Sequence, residues 1–215
     1  MRFLRNSVDV DSVSLEPGDY EGTYKLVGGE ISFDLVNTVS WPATTREHDW
    51  LDRPCNVTRW AEAAGILSRS NRAILEGRSE AKLREELEQV RQVRSDLQNV
   101  LRPLAFSERS SRAAIETLNT LVYEISVLRR IDPTSHRWIW ANPESLTEIL
   151  APVIWNAAYV LTSADHTRIG HCRSCNWIFH DTSRNRSRRW CDMIDCGSRD
   201  KALRYYHRTK SRDAS

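Results

Sequence analysis

Apolar positions recur at helical spacing through the middle of the chain. Over residues 79–104, Leu83, Leu87, Val90, Leu97, Leu101 and Leu104 share one face, while Arg84, Glu85, Glu88, Gln92 and Ser95 lie elsewhere. That pattern predicts an amphipathic helix. Ile115, Leu118, Val122, Ile125 and Leu128 predict a second over 110–130. A broader stripe, Leu146, Ile149, Leu150, Val153, Ala157, Val160 and Leu161, predicts a third and most buried helix over 143–163, with Pro143 in its first turn. Two shorter helices are expected. One covers 31–39 around Phe33, Leu35 and Val36 and ends before Pro42; the other covers 58–67, capped by Asn56 or Thr58 and ending near Gly65. Alternation predicts a strand over 20–27, closed by Gly28 and Gly29, and another over 137–140 that pairs with it. The first 19 residues are polar and mixed, and read as a loose arm. The stripes are core positions, and the fold class they predict is mainly α with a small β element.

Nothing in this body announces catalysis, and no enzymatic function is expected of it. Asp34 and Asn37 lie three apart on one helix face, where a buried cap or turn role is expected. His48 and Asp49 fall in a polar loop, and Cys55 reads as a small buried filler.

No apolar run reaches the roughly 18 residues of a membrane span, and the first residues lack a signal-peptide core. A soluble, cytoplasmic protein with no membrane partner is expected. In that setting, closely paired cysteines point to metal rather than to disulfides. The net charge of +2 hides an asymmetry. Residues 168–215 hold 12 Lys or Arg against five Asp, a net of +7, whereas the preceding 167 residues hold 19 basic against 24 acidic, a net of −5. A basic tail on an acidic body implies an anionic partner for the tail.

That tail carries the chemistry. Cys172 and Cys175 form a C-x2-C pair, 15 residues follow, and Cys191 and Cys196 form a C-x4-C pair. Four thiolates at this spacing suit one closed, tetrahedral zinc site, which is structural because no position is left for water. His171, His180 and His207 are not needed as ligands, and surface or packing roles are expected for them. Trp177 and Phe179 alternate with Ile178 and His180 as a strand, 181–185 is a turn-rich tip, and Arg188, Arg189 and Trp190 read as the returning strand. A helix starts near Ser198. Its Ala202, Leu203 and Tyr206 are expected to pack on the zinc knuckles, leaving Lys201, Arg204, Arg208 and Arg212 as an outward basic stripe. Knuckle, hairpin, knuckle and helix make a treble-clef-like order. Arg184, Arg186, Arg188 and Arg189 form a second cluster at the hairpin. Arg189 and Arg199, each beside a knuckle, are expected to turn inward. The candidate nucleic-acid contacts are therefore Arg184, Arg186, Arg188, Lys201, Arg204, Arg208 and Arg212, because guanidinium forks match phosphate oxygens and guanine edges.

These residues resemble a known family. The run Phe179-x-Asp181-x-Ser183-x-Asn185-x-Ser187-Arg188-Arg189-Trp190-Cys191, followed by Cys196-Gly197-Ser198-Arg199-x-Lys201, is similar to the CGNR zinc finger of bacterial proteins. Ser198 stands where the family's name motif has asparagine. The segment Gly29 to Thr38 (GEISFDLVNT) resembles the opening of the ABATE domain that commonly precedes this finger. The resemblance implies a helical domain over 20–165, a finger over 166–212, and a role as a stress-induced transcription regulator that binds DNA.

The expectation is a two-part regulator. A helical amino-terminal domain holds a small-molecule effector or forms a homodimer, and a carboxy-terminal, treble-clef-like zinc finger with four cysteine ligands binds DNA. A zinc-stabilised protein-interaction or RNA-binding module is the alternative. An enzyme would need a pocket around Asp34, Asn37 and His48 with strongly shifted pKa values.

Overall fold

The computed structural model describes residues 12–16, 24–42 and 44–213, with the side chains of Ser12, Arg208, Ser211, Arg212 and Asp213 excepted. Its spine is the long helix α4 (Glu80–Ala105), which follows the expected stripe almost to the residue. The apolar face is buried throughout, and Glu86 and Arg94 are buried beside it. Helix α5 (Arg112–Ser126) begins where the Ser111 hydroxyl accepts the Ala114 N–H at 3.1 Å. Helix α6 (Ala151–Ser163) is preceded by a 3-10 turn over Glu148–Leu150. Both helices pack on each other and on α4.

α6 starts eight residues later than its apolar stripe suggests, with Pro152 rather than Pro143 in the first turn. The reason is the buried Glu86 carboxylate. Arg78 holds it through two bonds of 2.6 and 2.9 Å, and it takes the Leu146 N–H at 3.1 Å. That bond holds the chain ahead of the helix against α4. α5 likewise ends at Ser126, because the next residues enter a hairpin of β5 (Arg129–Ile131) and β6 (Trp138–Trp140). β6 therefore pairs with its neighbour in sequence and not with 20–27. The Asp132 carboxylate folds the connection by accepting the Thr134 and Ser135 N–H groups, and a short loop closes at less entropic cost than a distant pairing.

The segment expected as a strand over 20–27 is described only from Tyr24. There β2 (Tyr24–Lys25) pairs with β1 (Ser12–Val13), so part of the expected loose arm is ordered; Tyr20 and Gly22 lie outside the described residues. All six residues of α1 (Ile31–Val36) are buried between α4, α6 and the finger. It stops short of Val39, which enters a small hairpin of β3 (Val39–Ser40) and β4 (His48–Asp49). Helix α2 (Pro54–Ala63) starts four residues before the expected position because Pro54 occupies its first turn. Asn56 is not its cap. The buried Asn56 amide instead donates to the Trp50 and Glu16 carbonyls at 2.9 and 3.0 Å. Gly65, at φ +75°, lets the chain leave the helix. Helix α3 (Arg69–Glu76), capped by Ser68, has no apolar stripe to announce it, since Leu75 is its one buried residue.

Asp49 is gripped by Arg94 with bonds of 2.5 and 2.7 Å. Cys55 is free and half-buried. Among the described residues no helix is long and apolar enough to cross a membrane.

Candidate metal centre and basic surface

The finger begins with a hairpin of β7 (Ile169–His171) and β8 (Ile178–His180). The turn between them carries Cys172 and Cys175. The Cys172 N–H donates to the Trp177 carbonyl at 2.7 Å, and the Asn176 N–H returns to the Cys172 carbonyl at 2.9 Å. Asn176 adopts φ +62°, a left-handed position that asparagine tolerates better than most residues. Cys191 and Cys196 enter from the other side. Cys196 sits in a π turn over Met193–Gly197, whose start is tied by the Asp192 carboxylate accepting the Asp195 N–H at 2.8 Å.

All four cysteines are buried, and their sulfurs lie within 4.8 Å of one another. Cys175 and Cys191 are separated by 3.5 Å, and Cys191 and Cys196 by 3.6 Å. A disulfide would need about 2.05 Å. Four thiolates at about 2.3 Å from one tetrahedral ion would stand roughly 3.8 Å apart, so the cluster has the size of a metal site. Its electrostatics agree. Hydrogen bonds from Cys175, Cys191 and Cys196 push Cys172 down toward the thiolate. The Cys172 sulfur, together with burial, pushes Cys175 and Cys191 strongly up. Buried side by side, four sulfurs cannot all ionise unless a cation compensates them. The donor set therefore has the size and chemistry to hold a metal ion.

The returning strand expected at Arg188, Arg189 and Trp190 does not form. β8 pairs with β7 on one edge, and the body covers the other. Asn37 bonds both backbone groups of Ile178, and the His180 N–H donates to the Gly28 carbonyl at 2.8 Å. Gly29 is the close-approach point, at φ +81°, where an added Cβ would meet His180 Cβ at 3.3 Å. Trp177 Nε1 donates to the Val39 carbonyl at 3.1 Å, and Lys25 bridges to Asp195 at 2.7 Å.

Deprived of a strand partner, Arg188 turns inward. Its guanidinium donates to the carbonyls of Val27 (2.7 Å), Cys191 (2.6 Å), Trp190 (3.1 Å) and His180 (3.3 Å), and lies 4.3 Å over the Phe179 ring. Burial pushes its pKa down, and the neighbouring Cys191 and Asp181 oppose that shift. With those donors occupied, Arg188 staples the knuckle to the body and is removed from the candidate nucleic-acid contacts.

The tip loop is built by Asp181, whose carboxylate accepts the Ser183 N–H at 2.8 Å and the Arg188 N–H at 2.9 Å. Arg184 and Arg186 project from it into solvent; Arg186 also reaches Thr167 at 2.8 Å. Arg189 and Arg199, expected to face inward, are both exposed, Arg199 lying 5.3 Å over the Trp41 ring. Arg173 is exposed too. Its place between the ligands of a C-x2-C turn, where intervening side chains must point away from the metal, was the available signal.

Helix α7 (Ser198–Asp213) completes the finger. The side chains of Ala202, Leu203 and Tyr206 do not pack on the knuckles: every described side chain from Lys201 to His207 is exposed. The helix leaves the body after its first turn. Lys201 and Arg204 face solvent, Arg204 pairing with Asp200 at 2.8 Å; the side chains of Arg208 and Arg212 lie outside the described residues. Ser198, in the asparagine position, donates to the Met193 carbonyl at 3.4 Å.

The histidines are not ligands. His171 stacks on Phe106 at 4.2 Å, and His180 Nδ1 lies 3.4 Å from Glu30. The Asp34 carboxylate accepts the Gly28 N–H at 2.7 Å, the turn role expected of it.

Comparison with protein-family models matches residues 29–164 to ABATE, described as "Putative stress-induced transcription regulator", and residues 168–209 to the CGNR zinc finger. No curated protein matches the chain.

Proposed function

Given that the chain belongs to the ABATE family and ends in a CGNR zinc finger, we propose that it is a transcription regulator that binds duplex DNA through that finger, with zinc as the metal. Bound zinc would be held by Cys172, Cys175, Cys191 and Cys196 and would supply charge compensation and a rigid cross-link. The chain's own residues do the rest. The knuckle turns and the Asp181 loop hold Arg173, Arg184 and Arg189 outward, and α7 presents Lys201 and Arg204. The observation that carries the reading is this outward basic surface on a scaffold of four buried cysteines: among the described residues, no carboxylate pairs with Arg173, Arg184, Arg189 or Lys201. Unpaired guanidiniums held on a rigid base lose little entropy on meeting phosphate. No catalytic role is proposed for the body, where Asp34 and Asn37 are spent on backbone groups.

A second reading has its own support. Met193, Ile194, Leu203, Tyr205 and Tyr206 are exposed on the same finger, which suits a protein or RNA partner. A mobility-shift comparison of random duplex DNA, single-stranded RNA and protein capture from extract separates the readings. Preferential duplex retention supports the first; retention of RNA or protein alone overturns it.

A further inference from the structure

Several exposed apolar side chains of the body fall at the end of α5 and in the hairpin that follows it. Tyr123 (79 % exposed) and Val127 (75 %) stand one helical turn apart at the end of α5. Ile131 (58 %) follows directly in β5, opposite Trp138 (57 %) in β6. Arg129 shares this face: its guanidinium lies 5.6 Å over Trp138 and 4.5 Å over Trp140. Trp140 in turn meets Trp155 of α6 edge-on at 6.1 Å. A group of exposed Trp, Tyr, Val and Ile with one arginine among them has the composition of an interface centre.

Among the described residues no carboxylate pairs with Arg129, and no cation pairs with Glu124, which lies between Tyr123 and Val127 on the exposed side of α5. Asp132, the nearest acid in the hairpin, is occupied by the Thr134 and Ser135 N–H groups. One patch that carries an unpaired cation, an unpaired anion and an apolar centre complements a copy of itself turned by a two-fold axis.

We propose that the end of α5 and the β5–β6 hairpin form an isologous homodimer interface. Trp138, Ile131 and Val127 bury one another at its centre, and Arg129 of each copy pairs with Glu124 of the other. This interface is independent of whether the finger binds DNA.

The test is sedimentation equilibrium of the metal-loaded full-length chain across micromolar concentrations. A dimer of twice 24.9 kDa is expected. Trp138→Ala, at an exposed position, should raise the dimer Kd roughly 30-fold or more, the effect of removing an interface hot spot. Arg129→Glu should dissociate it, and adding Glu124→Arg should restore it. A chain that stays monomeric, a dimer indifferent to Trp138→Ala, or a double reversal that restores nothing would each overturn the proposal.

Discussion

Asn37 reaches across 141 positions of sequence to hold the backbone of Ile178: Nδ2 donates to the carbonyl at 2.8 Å, and Oδ1 accepts the N–H at 2.9 Å. One amide side chain thus does part of the work of a neighbouring strand on a sheet edge whose next N–H, that of His180, goes to the Gly28 carbonyl. It also joins the body to the metal-bearing hairpin, in a place where neither backbone group could find water.

Asn37→Ala removes both bonds and leaves two buried backbone groups unpaired. The expected cost is about 2–4 kcal/mol. Urea unfolding should show a lower midpoint with an unchanged slope. An unshifted midpoint would mean that the contact contributes nothing.

Arg188 and Arg189, neighbours in sequence, should behave as opposites. Arg188→Gln loses the carbonyl bonds to Val27 and Cys191 and should both destabilise the protein and speed metal loss to a chelator. Arg189→Ala, at an exposed side chain, should leave stability within about 0.5 kcal/mol of the parent and weaken DNA binding alone. Dye-monitored melting and a metal-release assay on both variants check the pair.

Stripping the metal should open the finger. A structural zinc site contributes apparent folding free energy of about 10–16 kcal/mol, and the buried sulfurs lose their compensating charge. Brief proteolysis after chelation should cut between Cys172 and Arg199 while α4, α5 and α6 persist. A finger that resists protease without metal would contradict this.

Acid should act through Asp49. Burial alone would raise its pKa, but the Arg94 bonds hold it below the ordinary carboxylate value. A depressed folded pKa means that the stabilisation is complete above the unfolded value of about 3.9 and is lost as pH falls through the folded one. Asp49→Asn should therefore flatten the acid limb of the stability curve. It should also cost about 3 kcal/mol at neutral pH, because Arg94 is buried beneath it. Chemical denaturation at a series of pH values reads both effects.

Much of this was legible in the chain. α4 announced itself through apolar spacing, and the cysteine spacing located the metal site. Periodicity could not show which backbone groups a distant side chain would occupy. Glu86 takes the Leu146 N–H and delays α6, and Asn37 takes the edge of β8 and displaces the expected returning strand. The same long-range contact reversed the roles of Arg188 and Arg189, since a residue that leaves a strand no longer alternates sides. Short range decided the Trp138–Trp140 strand, where a local turn at Asp132 outcompeted a partner roughly a hundred residues away.

The most direct test is the salt dependence of duplex binding by the metal-loaded protein, followed by fluorescence anisotropy. If Arg173, Arg184, Arg189, Lys201 and Arg204 meet phosphates, log K should fall linearly with log salt, by about 0.9 for each contact, and replacing any one of them by Ala should reduce the slope by about 1. Affinity that ignores both salt and those substitutions, or no affinity for duplex at low salt, would contradict the assignment.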